Sequence, residues 1–169
     1  MSAAPLATIP VGVVIERRKA ASQWADWLWR AAAVLHGEPQ AKPWTPLTAD
    51  GDVTTFYAGP AAIALHRPET GYYRDNLASG APSLWVALAP TDADPPYKVI
   101  AVTADPFEGE AFAEAAANLV EQVPMPATIV ELIAAFVAEH HVERPFYKRE
   151  RDRVDTESLA RRAYGDHDD

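Results

Sequence analysis

The apolar pattern of the chain changes its period near Asp105, and this change constrains the fold more than any other feature. Before Asp105, short runs of β-branched and aromatic residues alternate with Gly, Pro and Asp, which is typical of strands and turns. After it, apolar residues recur at the 3.6-residue spacing of a helix. Strands followed by helices indicate an α+β fold. We predict an antiparallel sheet or partly open barrel of about six strands, with two C-terminal helices packed on it.

The predicted strands are joined by connections too short for a helical crossover, which favours antiparallel pairing. They cover residues 9–17, 24–35, 53–57, 63–66, 84–88 and 97–103. The segments 53–57 and 63–66 are expected to form a hairpin around the turn residues 58–60. The Trp-rich segment 24–35 also fits a helix, but the turn residues 36–39 close it as a short element and favour a strand.

Two helices are predicted after Asp105. Asp105 is the expected N-cap, with Pro106 at the first helical position and Glu108 completing a capping box. Phe112, Ala116, Leu119 and Val120 continue this helix at helical spacing until Pro124 ends it. The second helix carries a regular apolar stripe at i, i+3, i+4, i+7 and i+8, formed by Ile129, Leu132, Ile133, Phe136 and Val137.

The length of 169 residues fits one domain. We predict a flexible N-terminus (1–8), a single α+β domain (9–143) and a charged, mobile C-terminal tail (144–169). The tail holds seven basic and seven acidic residues, whereas residues 1–143 hold eight basic and 17 acidic residues and therefore carry the whole net charge of −9. Such an acidic body argues against tight binding of nucleic acid, which requires a basic face.

Several classes of chemistry are disfavoured by what the sequence lacks. It has no cysteine, which excludes disulfides, thiolate metal sites and a cysteine nucleophile. It has no G-x-G-x-x-G, G-x-x-x-x-G-K, G-x-S-x-G or H-E-x-x-H motif. No apolar run reaches the length of a membrane span, and no secretory signal is evident, so a cytoplasmic location is expected. We predict no catalytic residue, no cofactor and no metal ligand.

Two groups of residues leave alternatives open. His140 and His141 could ligate a metal together with His36 or His66, but their place at a helix C-terminus, where they meet the carbonyl dipole, is the simpler explanation. The five tryptophans could line a ligand pocket, although such residues more often lie in a core. They are Trp24, Trp27, Trp29, Trp44 and Trp85, and a pocket would add Arg30, His36 or His66.

Basic residues are concentrated at 17–19 and at 144–153. Charge runs of this kind are often simply solvated. The alternative is that they dock an acidic partner, with Phe146 and Tyr147 as aromatic anchors of the kind found at binding hot spots.

Several segments of the chain carry a resemblance to a known family: 13–18, the Trp-rich run that ends at Trp29 and Arg30, 65–70, 76–77, 123–126 and, above all, 140–149. They resemble an uncharacterised proteobacterial family, a domain of unknown function whose genes often lie beside those for formate dehydrogenase and its accessory proteins. The resemblance covers most of residues 9–153 and assigns no active site.

The resemblance implies a non-catalytic accessory protein that assists assembly or maturation of a molybdenum- or tungsten-dependent formate dehydrogenase through protein–protein binding. Its partner would be a formate dehydrogenase subunit or a co-encoded accessory protein. The predicted partner-binding residues are Arg17, Arg18, His140, His141, Glu143, Arg144, Pro145, Phe146, Tyr147, Lys148 and Arg149. The alternative function is a small-molecule or cofactor-binding domain, which could be an enzyme, with a Trp-lined pocket.

Overall fold

A computed structural model describes residues 4–21, 23 and 26–142 of the chain. Within these residues there are seven strands, three α-helices and a 3₁₀ turn at Arg67–Glu69. In chain order the elements are β1 (Ala7–Lys19), β2 (Trp27–His36), β3 (Thr45–Asp50), β4 (Val53–Leu65), α1 (Thr70–Leu77), β5 (Ser83–Pro90), β6 (Tyr97–Thr103), α2 (Pro106–Ala113), β7 (Leu119–Pro124) and α3 (Ala127–His140). The predicted tail, 144–169, lies outside the described residues.

The strands form two antiparallel sheets. One has four strands in the order β2-β1-β4-β3, and the other has three in the order β6-β5-β7. Neither sheet closes into a barrel. The predicted α+β class is therefore confirmed, with the strands divided between two sheets instead of one.

The core lies between the two sheets and is closed by α3. On β1, every second residue from Ile9 to Ile15 is buried, which follows from the alternation of side chains along a strand. Leu84, Val86 and Leu88 on β5 belong to the same core. Each such side chain contributes about 1.5–3 kcal/mol through its burial.

Three of the five residues of the apolar stripe predicted for the last helix are buried as expected. Ile129, Ile133 and Phe136 of α3 are buried in the core, whereas Leu132 is 43% exposed and Val137 is half-buried. The face that packs on the sheets is thus narrower than the stripe itself.

The prediction of a hairpin formed by 53–57 and 63–66 is wrong. These residues form the single strand β4, which pairs with β1 from Val53 to Leu65. Gly59 has a φ of 139° and lies at the position where the register with β1 shifts. A glycine at positive φ accommodates a bulge as readily as a turn, and the long partner β1 decides between the two.

The segment predicted as a loop around Trp44 contains an edge strand. β3 pairs only with β4, and the two join through the predicted turn at Asp50 and Gly51. Pro46 is tolerated in β3 because an edge strand has one side free of ladder hydrogen bonds.

The helix predicted to start at Asp105 begins as expected and then ends early. The Asp105 carboxylate accepts a hydrogen bond from the backbone N–H of Phe107 at 2.9 Å, as an N-cap does. α2 ends at Ala113, and the Asn118 side chain donates to the Phe112 carbonyl. Leu119 and Val120, predicted as helical, lie in β7, where pairing with β5 outweighs local preference.

Strand β2 confirms the preferred interpretation of the Trp-rich segment, but a bulge changes its faces. Ile15 of β1 pairs with Ala31 and Val14 pairs with Ala33, so Ala32 is the extra residue. The regular alternation of a strand holds from Trp27 to Ala31 and then reverses, so that Val34 is buried and Leu35 is exposed.

Candidate functional site

Arg17, one of the predicted partner-binding residues, lies near the C-terminal end of β1 with its guanidinium among aromatic rings. It pairs with Trp29 of β2 and continues the inward-facing series that ends with Ile15. Its Cζ atom lies 3.9 Å from the centre of the Trp27 ring and 5.1 Å from that of Phe56. These distances are within the range of cation–π attraction.

The rings around Arg17 form a packed group at this end of the two sheets. We call it the arginine–aromatic cluster, and its members are Arg17, Trp27, Trp29, Trp44, Phe56 and Tyr97. Trp29 is central: its ring centre lies 6.0 Å from Trp44, 6.1 Å from Phe56 and 6.0 Å from Tyr97. Tyr97 belongs to the three-stranded sheet, so the cluster also joins the two sheets.

The guanidinium of Arg17 has no acidic partner among residues 4–21, 23 and 26–142. Its Nε is sealed from solvent and lacks a hydrogen-bond acceptor. Arg18 and Arg30 differ, because both lie close to the Glu16 carboxylate, at 3.7 and 3.6 Å. Arg17 is therefore a half-buried cation without an acidic partner among the described residues.

The cluster is open to solvent along one rim. Trp27 is 39% exposed, whereas Trp29, Trp44 and Tyr97 are half-buried and Phe56 is buried. The accessible part of the cluster is thus an indole ring with a stacked guanidinium.

Arg17 and Arg18 lie on β1, and the two remaining predicted partner-binding residues that the structure describes, His140 and His141, lie at the C-terminal end of α3. His140 stacks on Phe136, with ring centres 4.5 Å apart. The Nδ1 of His141 lies 2.9 Å from Thr70 Oγ1, and its Nε2 lies 3.1 Å from an Arg74 terminal nitrogen. The two neighbouring rings therefore point to different surroundings. Glu143, Arg144, Pro145, Phe146, Tyr147, Lys148 and Arg149 lie outside the described residues.

The structure does not bring the two predicted groups together. Arg17 pairs with Thr54 at one end of the β1–β4 ladder, whereas Ala7 pairs with Leu65 at the other. At roughly 3.3 Å per residue, these ends are roughly 30 Å apart. His141 is attached to α1, which begins five residues after Leu65. This separation could not be predicted from the sequence, because it depends on the pairing of strands that are distant along the chain.

A group of acids and hydroxyls beside α1 was not foreseen from the sequence. Burial raises the pKa of Tyr73 to about 12, and its hydroxyl accepts a hydrogen bond from the His66 backbone N–H at 3.0 Å. Partial burial also raises the pKa of Glu108, and the charges of Asp105 and Glu69 add to this effect. One carboxylate oxygen of Glu69 is sealed without a partner. The surroundings of Tyr73 and Glu108 thus favour the protonated forms of these two side chains.

Of the residues proposed for a Trp-lined pocket, Trp27, Trp29 and Trp44 belong to the arginine–aromatic cluster, whereas Trp85, Arg30 and His36 lie apart from it. Trp85 lies against Gly109, Arg30 lies beside Glu16, and His36 is exposed at the end of β2. A shallow surface cavity of about 540 Å³ is lined by residues 38–42, none of which is a tryptophan. Trp24 lies outside the described residues.

Comparisons with known proteins place the chain in a family. No curated protein and no solved structure matches it. No helix of the described part is both long and apolar enough to cross a membrane. A family model described as "Protein of unknown function (DUF3305)" matches residues 10–150, which include all of the described strands and helices except the first three residues of β1. The chain therefore belongs to this family of proteins of unknown function.

Proposed function

We propose that this protein is a non-catalytic accessory protein that acts in the cytoplasm by binding another protein. The partner that we propose is a subunit of a molybdenum- or tungsten-dependent formate dehydrogenase, or an accessory protein encoded beside it. The observation that carries the binding role is the arginine–aromatic cluster, where Arg17 stacks on the exposed ring of Trp27. The choice of partner is supported by the resemblance of segments such as 140–149 to a family encoded beside formate dehydrogenase genes.

The chemistry of the cluster favours a protein as its ligand. Trp, Tyr and Arg are the residue types that contribute most to binding energy at protein interfaces. The guanidinium of Arg17 also lies close to the rings of Trp29 and Phe56, so ordering this side chain on binding would cost little entropy. Fixed aromatic and guanidinium groups at a solvent-exposed rim are suited to anchoring a partner.

The alternative of a small-molecule pocket lined by tryptophans has less support. Trp29, Trp44 and Phe56 pack against one another and occupy the space that such a pocket would need. Nucleic acid is also disfavoured as a ligand, since residues 1–143 hold eight basic against 17 acidic residues.

The test is co-purification of the tagged chain with co-expressed formate dehydrogenase subunits, using an unrelated acidic protein as bait control. Trp27→Ala removes the exposed ring, and we expect it to reduce the recovered subunits at least about tenfold, the effect of losing one hot spot. Leu28→Ala is the matched control, because Leu28 is the adjacent residue, is 56% exposed and points to the opposite face of β2. Recovery no better than with the unrelated bait would refute the proposed partner.

The segment after α3 is tested separately with shortened chains. A chain ending at Arg153 keeps every predicted partner-binding residue, and we expect it to fold and to bind like the full chain. A chain ending at Val142 lacks Glu143 to Arg149, and we expect it to fold but to bind more weakly. Unchanged recovery with the shorter chain would remove that segment from the binding surface.

A further inference from the structure

We infer that the partner presents an acidic segment to the arginine–aromatic cluster, and that an Asp or Glu carboxylate of this segment binds Arg17. This inference rests on the proposed function and names the chemistry of the partner at one surface. The carboxylate would meet the guanidinium end-on, at its two terminal nitrogens.

The stacking of Arg17 determines which of its atoms a ligand can reach. The centre of the Trp27 ring lies 3.9 Å from Cζ of Arg17, so the ring covers one face of the guanidinium group. The N–H donors of a guanidinium all lie in the plane of that group. Nε is sealed from solvent, whereas the terminal nitrogens are not sealed. A planar, two-oxygen acceptor fits two parallel N–H groups better than any other common protein group does.

The protein itself supplies no carboxylate to this position in its described part. Glu16, the neighbour of Arg17 on β1, points to the opposite face of the strand and lies near Arg18 and Arg30. The nearby Asp26, Asp50 and Asp52 form no ion pair with Arg17. Among residues 4–21, 23 and 26–142, the donors of Arg17 thus have no acidic partner that a ligand would have to displace.

The surrounding charge permits an acidic ligand at this end of the sheet. The four basic residues Arg17, Arg18, Lys19 and Arg30 lie here together with the four acidic residues Glu16, Asp26, Asp50 and Asp52. The charges balance locally, so an acidic segment meets less repulsion here than over the rest of residues 1–143, which carry the net charge of −9.

Trp27 adds a preference for an apolar neighbour. Its ring is 39% exposed and lies beside the guanidinium, so a side chain next to the bound carboxylate would pack on it. The expected ligand is therefore a segment in which acidic and apolar residues alternate.

The test uses the full chain and two blocked hexapeptides, acetyl-(Glu-Leu)3-amide and acetyl-(Gln-Leu)3-amide, titrated by calorimetry at low salt. We expect the acidic peptide to bind at least about tenfold more tightly than the neutral one, the factor that a charge-assisted hydrogen bond supplies. Arg17→Gln should remove this preference. Arg67→Gln is the matched control, because it removes the same charge from an exposed residue at the other end of β4, and it should change the affinity less than about twofold.

The inference fails if neither peptide binds, if both bind equally, or if Arg17→Gln and Arg67→Gln have the same effect. It also fails if tripolyphosphate or a thymidine oligonucleotide binds through Arg17 more tightly than the acidic peptide. Arg17→Lys keeps the charge but loses the planar pair of donors, so it carries the test if Arg17→Gln does not fold, and it should weaken the peptide about fivefold or more.

Co-purification with formate dehydrogenase subunits separates this inference from the proposed function. Recovery that Arg17→Gln leaves unchanged would overturn the inference and preserve the proposed function. If the full chain recovers no formate dehydrogenase subunit while its peptide binding still depends on Arg17, the proposed partner is overturned and the acidic-segment site is supported.

Discussion

The carboxylate of Glu121 accepts a hydrogen bond from the backbone N–H of Ala31 at 2.7 Å, and this bond joins the two sheets. Ala31 lies on β2, an edge strand of the four-stranded sheet, beside the bulge at Ala32. Glu121 lies on β7, an edge strand of the three-stranded sheet. An edge strand has N–H groups that its own sheet cannot satisfy, and here a side chain of the opposite sheet supplies the acceptor.

Replacing Glu121 tests the contribution of this bond. We expect Glu121→Ala to lower the free energy of unfolding by about 1–3 kcal/mol, because the partly buried N–H of Ala31 loses its acceptor. Glu121→Gln keeps a carbonyl oxygen at the same place and should lose less. Urea unfolding measures both, and Gln122→Ala, the exposed neighbour on β7, should lie within about 0.5 kcal/mol of the wild type. Equal stability of Glu121→Ala and wild type would show that the bond does not stabilise the fold.

Gly109 is the position where a methyl group should be most harmful. A Cβ atom there would lie 2.4 Å from Cγ of Trp85, far inside van der Waals contact. Helix propensity alone favours Gly109→Ala by about 1 kcal/mol, since the residue lies within α2. We expect the opposite sign, a loss of about 1–3 kcal/mol or more from overpacking, measured by thermal or urea unfolding.

Two controls make the Gly109 result specific. Glu110→Ala, at the exposed next residue of α2, should change stability by less than about 0.5 kcal/mol. Combining Gly109→Ala with Trp85→Ala should cost less than the sum of the single changes, because alanine lacks the Cγ and Cδ1 atoms that the added methyl group would meet. Stabilisation by Gly109→Ala would contradict the close packing of Trp85.

The parts of the fold that could be predicted from sequence are those set by local pattern. The strand predicted at 9–17 lies within β1, and Ile129, Ile133 and Phe136 of the predicted stripe are buried as the helical period requires. The Asp105 N-cap is likewise local. The bulge at Gly59 and the strand at 119–124 were not predictable in this way, because each depends on pairing with a strand distant in sequence.

The candidate site shows the same limit. The run at 17–19 drew attention to Arg17, and its separation of two residues from buried Ile15 is a signal that it faces inward. Its aromatic neighbours Phe56 and Tyr97 come from β4 and β6, and no local pattern links them to Arg17. The tryptophans were expected to lie in a core or to line a pocket, but their contact with the Arg17 guanidinium was not predicted.

Stability at alkaline pH should depend on Tyr73. Burial raises the pKa of its hydroxyl to about 12 in the folded state, from an ordinary value near 10. The folded protein therefore holds this proton more tightly than the unfolded chain does. The stabilisation is complete below about pH 10 and is lost as the pH rises from about 10 to 12, at about 1.4 kcal/mol per unit.

The measurement for Tyr73 is the difference in unfolding free energy between wild type and Tyr73→Phe, from urea unfolding at several values between pH 9 and 12. Tyr73→Phe cannot titrate, so the advantage of the wild type should shrink over this range. Tyr57, whose pKa burial also raises, is present in both proteins and cancels. Tyr72→Phe, at a 43% exposed neighbour, should leave the slope unchanged. A constant difference between wild type and Tyr73→Phe would contradict the shifted pKa.

The contacts of His141 determine which ring nitrogen carries its proton. An arginine nitrogen is always a donor, so the Nε2 of His141 must accept the hydrogen bond from Arg74 at 3.1 Å. The Thr70 hydroxyl donates its proton to the Arg67 carbonyl at 3.0 Å and must therefore accept from His141 Nδ1 at 2.9 Å. The neutral ring is thus held as the Nδ1–H tautomer.

This tautomer is directly measurable by long-range ¹H–¹⁵N correlation spectra at about pH 8, where histidine is ordinarily neutral. We expect the Nδ1–H pattern for His141 and, in Thr70→Val, a shift towards the Nε2–H pattern, because Nδ1 loses its acceptor. His36, which is exposed at the end of β2, serves as the control and should not respond to the Thr70 change. An Nε2–H pattern for His141 in the wild type would mean that Arg74 does not donate to the ring.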